Sequence, residues 1–285
     1  MRITIDCVKC VLGNVLDLAK NHVPEIIQRE ALTRELLEIA GQVSWAVSPP
    51  EYAAKLYAVV RKHTAGVDLY EAVKDQSTAA ALQLMPILRE AVAAAADPFA
   101  ARVCLTVGGN IIDYGVNPDF RQETIRERVL EALNSDFDRA ACRRLAEAVA
   151  RAKNILYVMD NCGEAVLDNL LLEEIREKVT IAVRGYPIFN DITRREIEAS
   201  GLSGYPCVDT GDSTPGVSMC DSSDAFRAAV EASDLIIAKG QGNFETMEGF
   251  RRPVFFLFRA KCPVVRKFIG HAAENSIQII GKNLP

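Results

Sequence analysis

The sequence has no apolar run long enough to span a bilayer. Its longest, such as P-V-F-F-L-F at 253–258, are strand-sized, so no transmembrane helix is expected. The N-terminus, M-R-I-T-I-D-C-V-K-C, lacks the basic start, long apolar stretch and small-residue cleavage site of a signal peptide, and a cytoplasmic location follows as the expectation. There is no basic stripe and only one Trp, and 33 Lys and Arg against 38 Asp and Glu leave a net charge of −5, which argues against nucleic acid as a partner. No G-x-S-x-G elbow is present and His22, His63 and His271 show no ligand spacing, so a Ser-His-Asp hydrolase has no support. Eight cysteines are scattered along the chain, and without export a disulfide framework is not expected. Cys7-x-x-Cys10 looks like half of a zinc knuckle or a redox pair, but no second C-x-x-C or paired histidines follow it.

What is present is an ordinary globular composition, 49% hydrophobic and 25% charged over 285 residues. That is enough chain for one large or two modest domains with a real core. From about 11 to 95 the apolar spacing is helical, with predicted helices over 29–43, 51–63 and 78–96. Ser48-Pro49-Pro50 marks a helix start, and Pro86 is expected to bend or interrupt its helix. The stretch 101–116 is ambiguous: its β-branched residues favour a strand, whereas Asn110 and Asp113 share a face only if it is helical. Another helical segment covers about 121–151. Short continuous apolar runs follow at 154–160, 179–185, 234–240 and 253–258, separated by helical segments. Continuous rather than alternating runs predict a mainly parallel sheet covered on both faces.

Ligands of such sheets sit beyond the carboxyl ends of the strands, and polar residues crowd those places here. The first predicted strand ends in Asp160-Asn161-Cys162-Gly163-Glu164, and the second runs through Arg184-Gly185 to Asn190-Asp191. Asp160, Asn161 and Asp191 are hard oxygen donors suited to a divalent cation such as Mg²⁺ or Mn²⁺. The competing reading is helix capping, by Asp160 and Asn161 for the helix after the first strand and by Asp191 for one beginning at Ile-Thr-Arg-Arg-Glu. The third strand leads into K-G-Q-G-N-F-E at 239–245, where Lys239, Gly240, Gly242 and Asn243 are placed to surround an anion. As a dinucleotide fingerprint this loop fails, because Glu245 stands where the third glycine belongs. The fourth strand places Lys261 at the same edge. The Gly-, Ser- and Thr-rich stretch 209–219 reads either as a loop over the site or as a solvent turn.

Taken together, C-V-K-C at 7–10, G-N-I-I-D-Y-G at 109–115, D-N-C-G-E at 160–164, F-N-D at 189–191, T-G-D-S-T-P-G at 210–216, K-G-Q-G-N-F-E at 239–245 and A-K-C at 260–262 resemble the metal-dependent damage-control phosphatases over nearly the whole chain. The resemblance implies an α/β fold, a three-layer, Rossmann-like domain (101–285) beside an N-terminal helical bundle (1–100), and it favours a helix at 101–112. It implies metal ligation by Asp160, Asn161 and Asp191, a phosphate-side Lys261, and catalytic roles for Asp160, Asp191 and Lys261. Asn110, Asp113, Arg184, Lys239, Gly240, Gly242 and Asn243 are the remaining candidate substrate contacts. A divalent cation (Mg²⁺, Mn²⁺, Co²⁺ or Ni²⁺) is the implied cofactor, and a sugar phosphate or a phosphopantetheine-like metabolite the substrate. The N-terminal C-x-x-C is similar to that of one branch of the family. Two other functions fit the residues: a nucleotide- or methyl-donor-dependent transferase at the same edge, and a metal- or redox-sensing protein centred on Cys7 and Cys10.

Overall fold

The computed structural model describes residues 1–108, 131, 133–134 and 137–284. Asn110 and Asp113 lie outside the described residues. The chain opens with five helices: α1 (Ile5–His22), α2 (Ile26–Gln42), α3 (Pro49–His63), α4 (Glu71–Ala94) and α5 (Pro98–Gly108). After α6 (Arg139–Arg151) come β1 (Ile155–Val158), α7 (Cys162–Leu172), a 3₁₀ segment (Glu173–Lys178), β2 (Val179–Val183) and β3 (Cys207–Asp209). The remainder is α8 (Asp224–Ala232), β4 (Leu235–Lys239), α9 (Gln241–Met247), β5 (Val254–Arg259), α10 (Pro263–Phe268) and β6 (Ile277–Lys282). No helix among the described residues is long and apolar enough to cross a membrane.

Local chemistry sets several boundaries. Ser48 and Glu51 form a reciprocal capping box at the start of α3, with Ser48 N donating to Glu51 Oε2 (2.7 Å), and Pro49 and Pro50 occupy the first helical positions, where no N–H is needed. Pro86 sits inside α4 without interrupting it. The ambiguous stretch resolves as helix as far as Gly108, because its apolar residues are buried on every side and the β-branched content is overridden by packing.

The six strands form one sheet in the order β3-β2-β1-β4-β5-β6, parallel except for the β5–β6 edge. Alternate residues of β1 enter opposite cores: Ile155 and Tyr157 pack on one face with Leu171 and Ile181, and Leu156 and Val158 on the other with Phe226, Phe244 and Phe256. Burial on both faces is why these strands read as unbroken apolar runs. Helix α4 buries Leu84, Leu88 and Val92 against Val166, Leu167 and Leu170 of α7. A further core joins α1, α2 and α3 through Val15, Leu32, Leu36, Leu56 and Val60, and takes in Ile188 from the connection after β2. From β1 the chain moves outward through β2 and β3 in one direction and then through β4 and β5 in the other, so the order reverses between β1 and β4. Crevices of open α/β sheets form at such a reversal.

Candidate functional site

Two segments thirty residues apart are joined at that reversal by main-chain hydrogen bonds. Ile192 N donates to Asp160 O (2.9 Å), Cys162 N donates to Asn190 O (3.0 Å), and Asn161 and Asp191 form an isolated antiparallel bridge. Asp160, Asn161 and Asp191 therefore come together, all largely buried; the Asp160 and Asp191 side chains are 12% and 5% exposed. The approach to Asp191 is held under strain. Phe189 adopts a left-handed φ of 45°, which costs a non-glycine residue about 1–2 kcal/mol. Edge-on contacts from Tyr57 (5.4 Å) and Tyr70 (6.0 Å) to its ring keep it there.

Asn161 occupies the N-cap position of α7, but its side chain makes no capping hydrogen bond; its Nδ2 donates to Asp160 Oδ2 instead (3.1 Å). Beyond Asp191, the short 3₁₀ turn is capped by Thr193, paired with Glu196 in its own capping box.

Arg184, at the end of β2, is fully buried and lies across the pair. Its Nε donates to Asp191 Oδ2 (2.7 Å), its Nη2 donates to Asn243 Oδ1 (3.1 Å) and stands 3.9 Å from Asp160 Oδ1, and its Nη1 is buried without a hydrogen-bond partner. Asn243 is itself fixed, donating to Met159 O (3.1 Å) and Lys239 O (2.6 Å). Gly240 carries a φ of 80°, and a Cβ there would collide with the Asp160 carboxylate, so only glycine lets the β4–α9 turn approach so closely. The Gly240 N–H is used by Leu257 O (3.0 Å) and does not face a ligand. Gly242 packs on the carbonyl of Pro215 in the 209–219 loop. That loop is bound rather than a free turn: Gly185 N donates to Asp212 O (3.0 Å), Val217 N to Thr246 Oγ1 (3.0 Å) and Ser218 Oγ to Glu51 Oε1 (3.3 Å).

Burial, together with the charges of Asp191 and Glu164, pushes the Asp160 carboxyl well above the usual carboxylate range, while Arg184 and Lys261 oppose the shift. Lys261 is thus close enough for its charge to act on Asp160. Its backbone N–H donates to Gln241 Oε1 (3.2 Å) at the start of α9.

Lys239 departs from the expectation of a phosphate-facing lysine. It is fully buried, and its Nζ donates to Thr106 O (3.0 Å), Glu164 Oε2 (2.5 Å) and Asp168 Oδ1 (2.9 Å), the last of which also accepts from Tyr157 OH (2.9 Å). Burial pushes Glu164 up to about 7, against the pull of Lys239. Sequence reasoning missed this network. Its signal is two acids one turn apart, Glu164 and Asp168, on a helix whose every residue is buried, which requires a buried cation nearby.

A divalent cation fits the donors at the strand ends. Two carboxylates held out of water beside an amide oxygen suit a hard ion that keeps several waters or phosphate oxygens as its other ligands. Among the described residues there is no group of three or more His, Cys, Asp or Glu side chains arranged for a metal, so such a site rests on Asp160, Asp191 and the Asn161 amide. Cys7 is buried and Cys10 exposed on α1, and all eight cysteines are free.

Comparison with known proteins agrees with this architecture. A family model described as the damage-control phosphatase ARMT1-like domain matches residues 3–277. A damage-control phosphatase of Archaeoglobus fulgidus is 30% identical over 283 residues, 95% of this chain and 96% of that protein. A damage-control phosphatase of Pyrococcus horikoshii is 30% identical over 274 residues, 94% of each. The crystal structure of a DUF89 family protein from Pyrococcus horikoshii superposes with a TM-score of 0.88 at 28% identity, covering 99% of both chains.

Proposed function

We propose that this chain, which belongs to the ARMT1-like damage-control phosphatase family, hydrolyses the phosphate monoester of a small metabolite with the help of a divalent cation. The observation that carries the reading is the convergence of Asp160, Asn161 and Asp191, buried and zipped together by the main chain, at the strand-order reversal. Burial and the neighbouring charge of Asp191 make Asp160 resist ionisation, and a bound cation relieves both effects. When bound, it supplies Lewis-acid stabilisation of phosphate oxygens.

Within this reading each residue has a defined task. Asp160, Asn161 and Asp191 hold the ion through oxygen. Arg184 Nε orients the Asp191 carboxylate, and the buried, unpartnered Nη1 is a donor for a phosphate oxygen. Lys261 supplies a second positive charge beside Asp160 for the transferring group. Gly240, Gly242 and Asn243 act by shape and support: Gly240 admits the Asp160 carboxylate, and Asn243 ties Arg184 to β4. The Lys239 network anchors α7, whose first residues follow Asn161. Sugar phosphates and phosphopantetheine-like esters are the proposed substrates, a helical part to residue 100 and a Rossmann-like layering of the remainder the proposed domain plan, and the C-x-x-C branch the proposed position in the family.

The test is a phosphatase screen over sugar phosphates, phosphopantetheine and nucleotides with Mg²⁺, Mn²⁺, Co²⁺ and Ni²⁺ each supplied. Metal-dependent release of phosphate from at least one small monoester supports the reading, and release that survives chelation contradicts it. Trapping with beryllium fluoride distinguishes direct hydrolysis from phosphoryl transfer to Asp160.

A further inference from the structure

Two segments far apart in sequence meet beside Lys261. Cys262 stands at the N-cap of α10, and Val264 packs in the same core as Cys7, Val8 and Val11 of α1. Cys262 itself packs with Met1 against the core on one face of the sheet. Val8 and Val11 flank Cys10 along α1, so Cys7, Cys10 and Cys262 form one cluster. The electrostatics agree. Burial raises the Cys10 thiol above its usual range, and the charges of Cys262, Cys7 and Glu245 raise it further. Burial also raises Cys262; the N–H groups of Val265 and Val264 oppose it, and the charges of Glu245 and Cys7 add to it. Thiolates that act on one another in this way are near neighbours.

All three are free thiols, and no group of three or more possible ligands among the described residues is arranged for a metal. The chemistry open to such a cluster is thiol–disulfide exchange. Access decides which two thiols pair. Cys7 and Cys10 stand one turn apart on α1, about 5 Å between Cα atoms by helix geometry, which a disulfide tolerates. Cys7 is closed off, however: it is buried and its Sγ lies 3.4 Å from Thr4 Oγ1. Cys10 is exposed and Cys262 partly so, which leaves these two within reach of an oxidant.

The pairing would also touch the strand-end site. Gln241 Oε1 accepts from the backbone N–H of both Lys261 (3.2 Å) and Cys262 (3.1 Å), and Gln241 Nε2 donates to Glu245 Oε1 (2.8 Å). A cross-link at Cys262 therefore fastens the turn that carries Lys261 to α1.

We propose that Cys10 and Cys262 form a reversible disulfide, a thiol modification site that ties α1 to the Lys261 turn. A small-molecule disulfide such as oxidised glutathione is the oxidant. The Cys10 thiolate attacks one of its sulfurs and releases one glutathione thiolate. The Cys262 thiolate then attacks Cys10 Sγ and releases the second, so two protein thiols are oxidised, one glutathione disulfide is reduced, and the two thiol protons end on glutathione.

The test is oxidation of the full chain with oxidised glutathione at about pH 8.5, where thiolates are more abundant, followed by a non-reducing tryptic digest and mass spectrometry. Cleavage after Arg2, Lys9, Lys20, Lys261 and Arg266 puts Cys7, Cys10 and Cys262 in separate peptides, 3–9, 10–20 and 262–266. The expected result is peptide 10–20 joined to 262–266, released by dithiothreitol. The oxidised protein should melt about 5 °C or more above the reduced one, because the bond closes a very long loop. Cys262→Ser should hold glutathione on Cys10 and lose the rise in the melt. Cys10 joined to Cys7, Cys10 and Cys262 each carrying glutathione in the wild type, no modification at all, or a cross-link between two chains on a non-reducing gel would each overturn the proposal. None of these readouts depends on phosphatase activity, so they stand or fall apart from the proposed function.

Discussion

Replacing Lys239 with methionine removes an ammonium group from a place where water cannot follow. Methionine has nearly the same length and is apolar, so the loss is electrostatic rather than steric. Glu164 and Asp168, both fully buried, are left facing each other and Tyr157, with Glu164 Oε1 and Asp168 Oδ2 already lacking partners in the intact protein. Removing one partner of a buried ion pair costs about 3–5 kcal/mol. The remaining carboxyls can take up protons, which keeps the penalty inside that range rather than at the sum of three lost hydrogen bonds. At about 2–4 °C per kcal/mol for a chain of this order, the melting temperature should fall by about 6–20 °C. The triple variant Lys239→Met, Glu164→Gln, Asp168→Asn leaves no buried charge and should regain at least half of the loss, since a whole buried charge cluster is dispensable in a way that half of one is not. The assay is a thermal melt of the three proteins beside their steady-state kinetics. A Lys239→Met protein that melts with the wild type but shows a strongly raised KM would refute this account and restore Lys239 to the phosphate site.

Gly240→Ala pushes a methyl group into the Asp160 carboxylate from a backbone at φ 80° and should cut kcat/KM by about a hundredfold with a smaller effect on the melt; unchanged kinetics would show that Asp160 need not stand where it does. Lys261→Ala should raise KM about tenfold or more while shifting the melt by less than about 2 °C, and unchanged KM and kcat would remove Lys261 from the site. Burial pushes Glu245 up to about 7 from its ordinary 4.5. With the folded value above the unfolded one, the stability it contributes is complete below about pH 4.5 and is lost as the pH rises through about 7. Glu245→Gln should therefore gain on the wild type in melts between about pH 5 and pH 8, and parallel profiles would contradict the shift.

The parts of the fold that showed in the sequence are those where one physical requirement dominates. β1, β2, β4 and β5 are buried on both faces and read as continuous apolar runs. β3 is three partly exposed residues following Pro206, too short for any pattern, and β6 is an antiparallel edge whose burial alternates weakly. The described part of the ambiguous stretch, 101–108, was hard to read because all but Arg102 are buried, which erases helical periodicity. That Asp160, Asn161 and Asp191 would meet was legible because they follow neighbouring parallel strands, β1 and β2, at the same edge of the sheet. Lys239 was misread because the sequence does not say to which side of a strand its last residue points, and its partners lie on α5 and α7. The role of Arg184 as the tie between Asp191 and Asn243 is a matter of three dimensions, with no spacing that announces it.

The central claim is that Asp160, Asn161 and Asp191 hold a divalent cation for phosphate ester hydrolysis, and Asp191→Asn tests it most directly. The amide is nearly isosteric, the main-chain bridge between residues 161 and 191 does not involve the side chain, and Thr193 rather than Asp191 caps the turn that follows. An amide oxygen can still accept from Arg184 Nε, so the fold is kept at some loss of stability from the weakened buried ion pair, while a negative charge is lost from a hard-cation site. The measurement is kcat/KM across Mg²⁺ and Mn²⁺ titrations, beside melts of both proteins without metal. The account predicts a loss of about a thousandfold or more at saturating metal, about 4 kcal/mol of transition-state stabilisation, with the variant still folded. Turnover close to wild type at saturating metal would contradict the three-residue site.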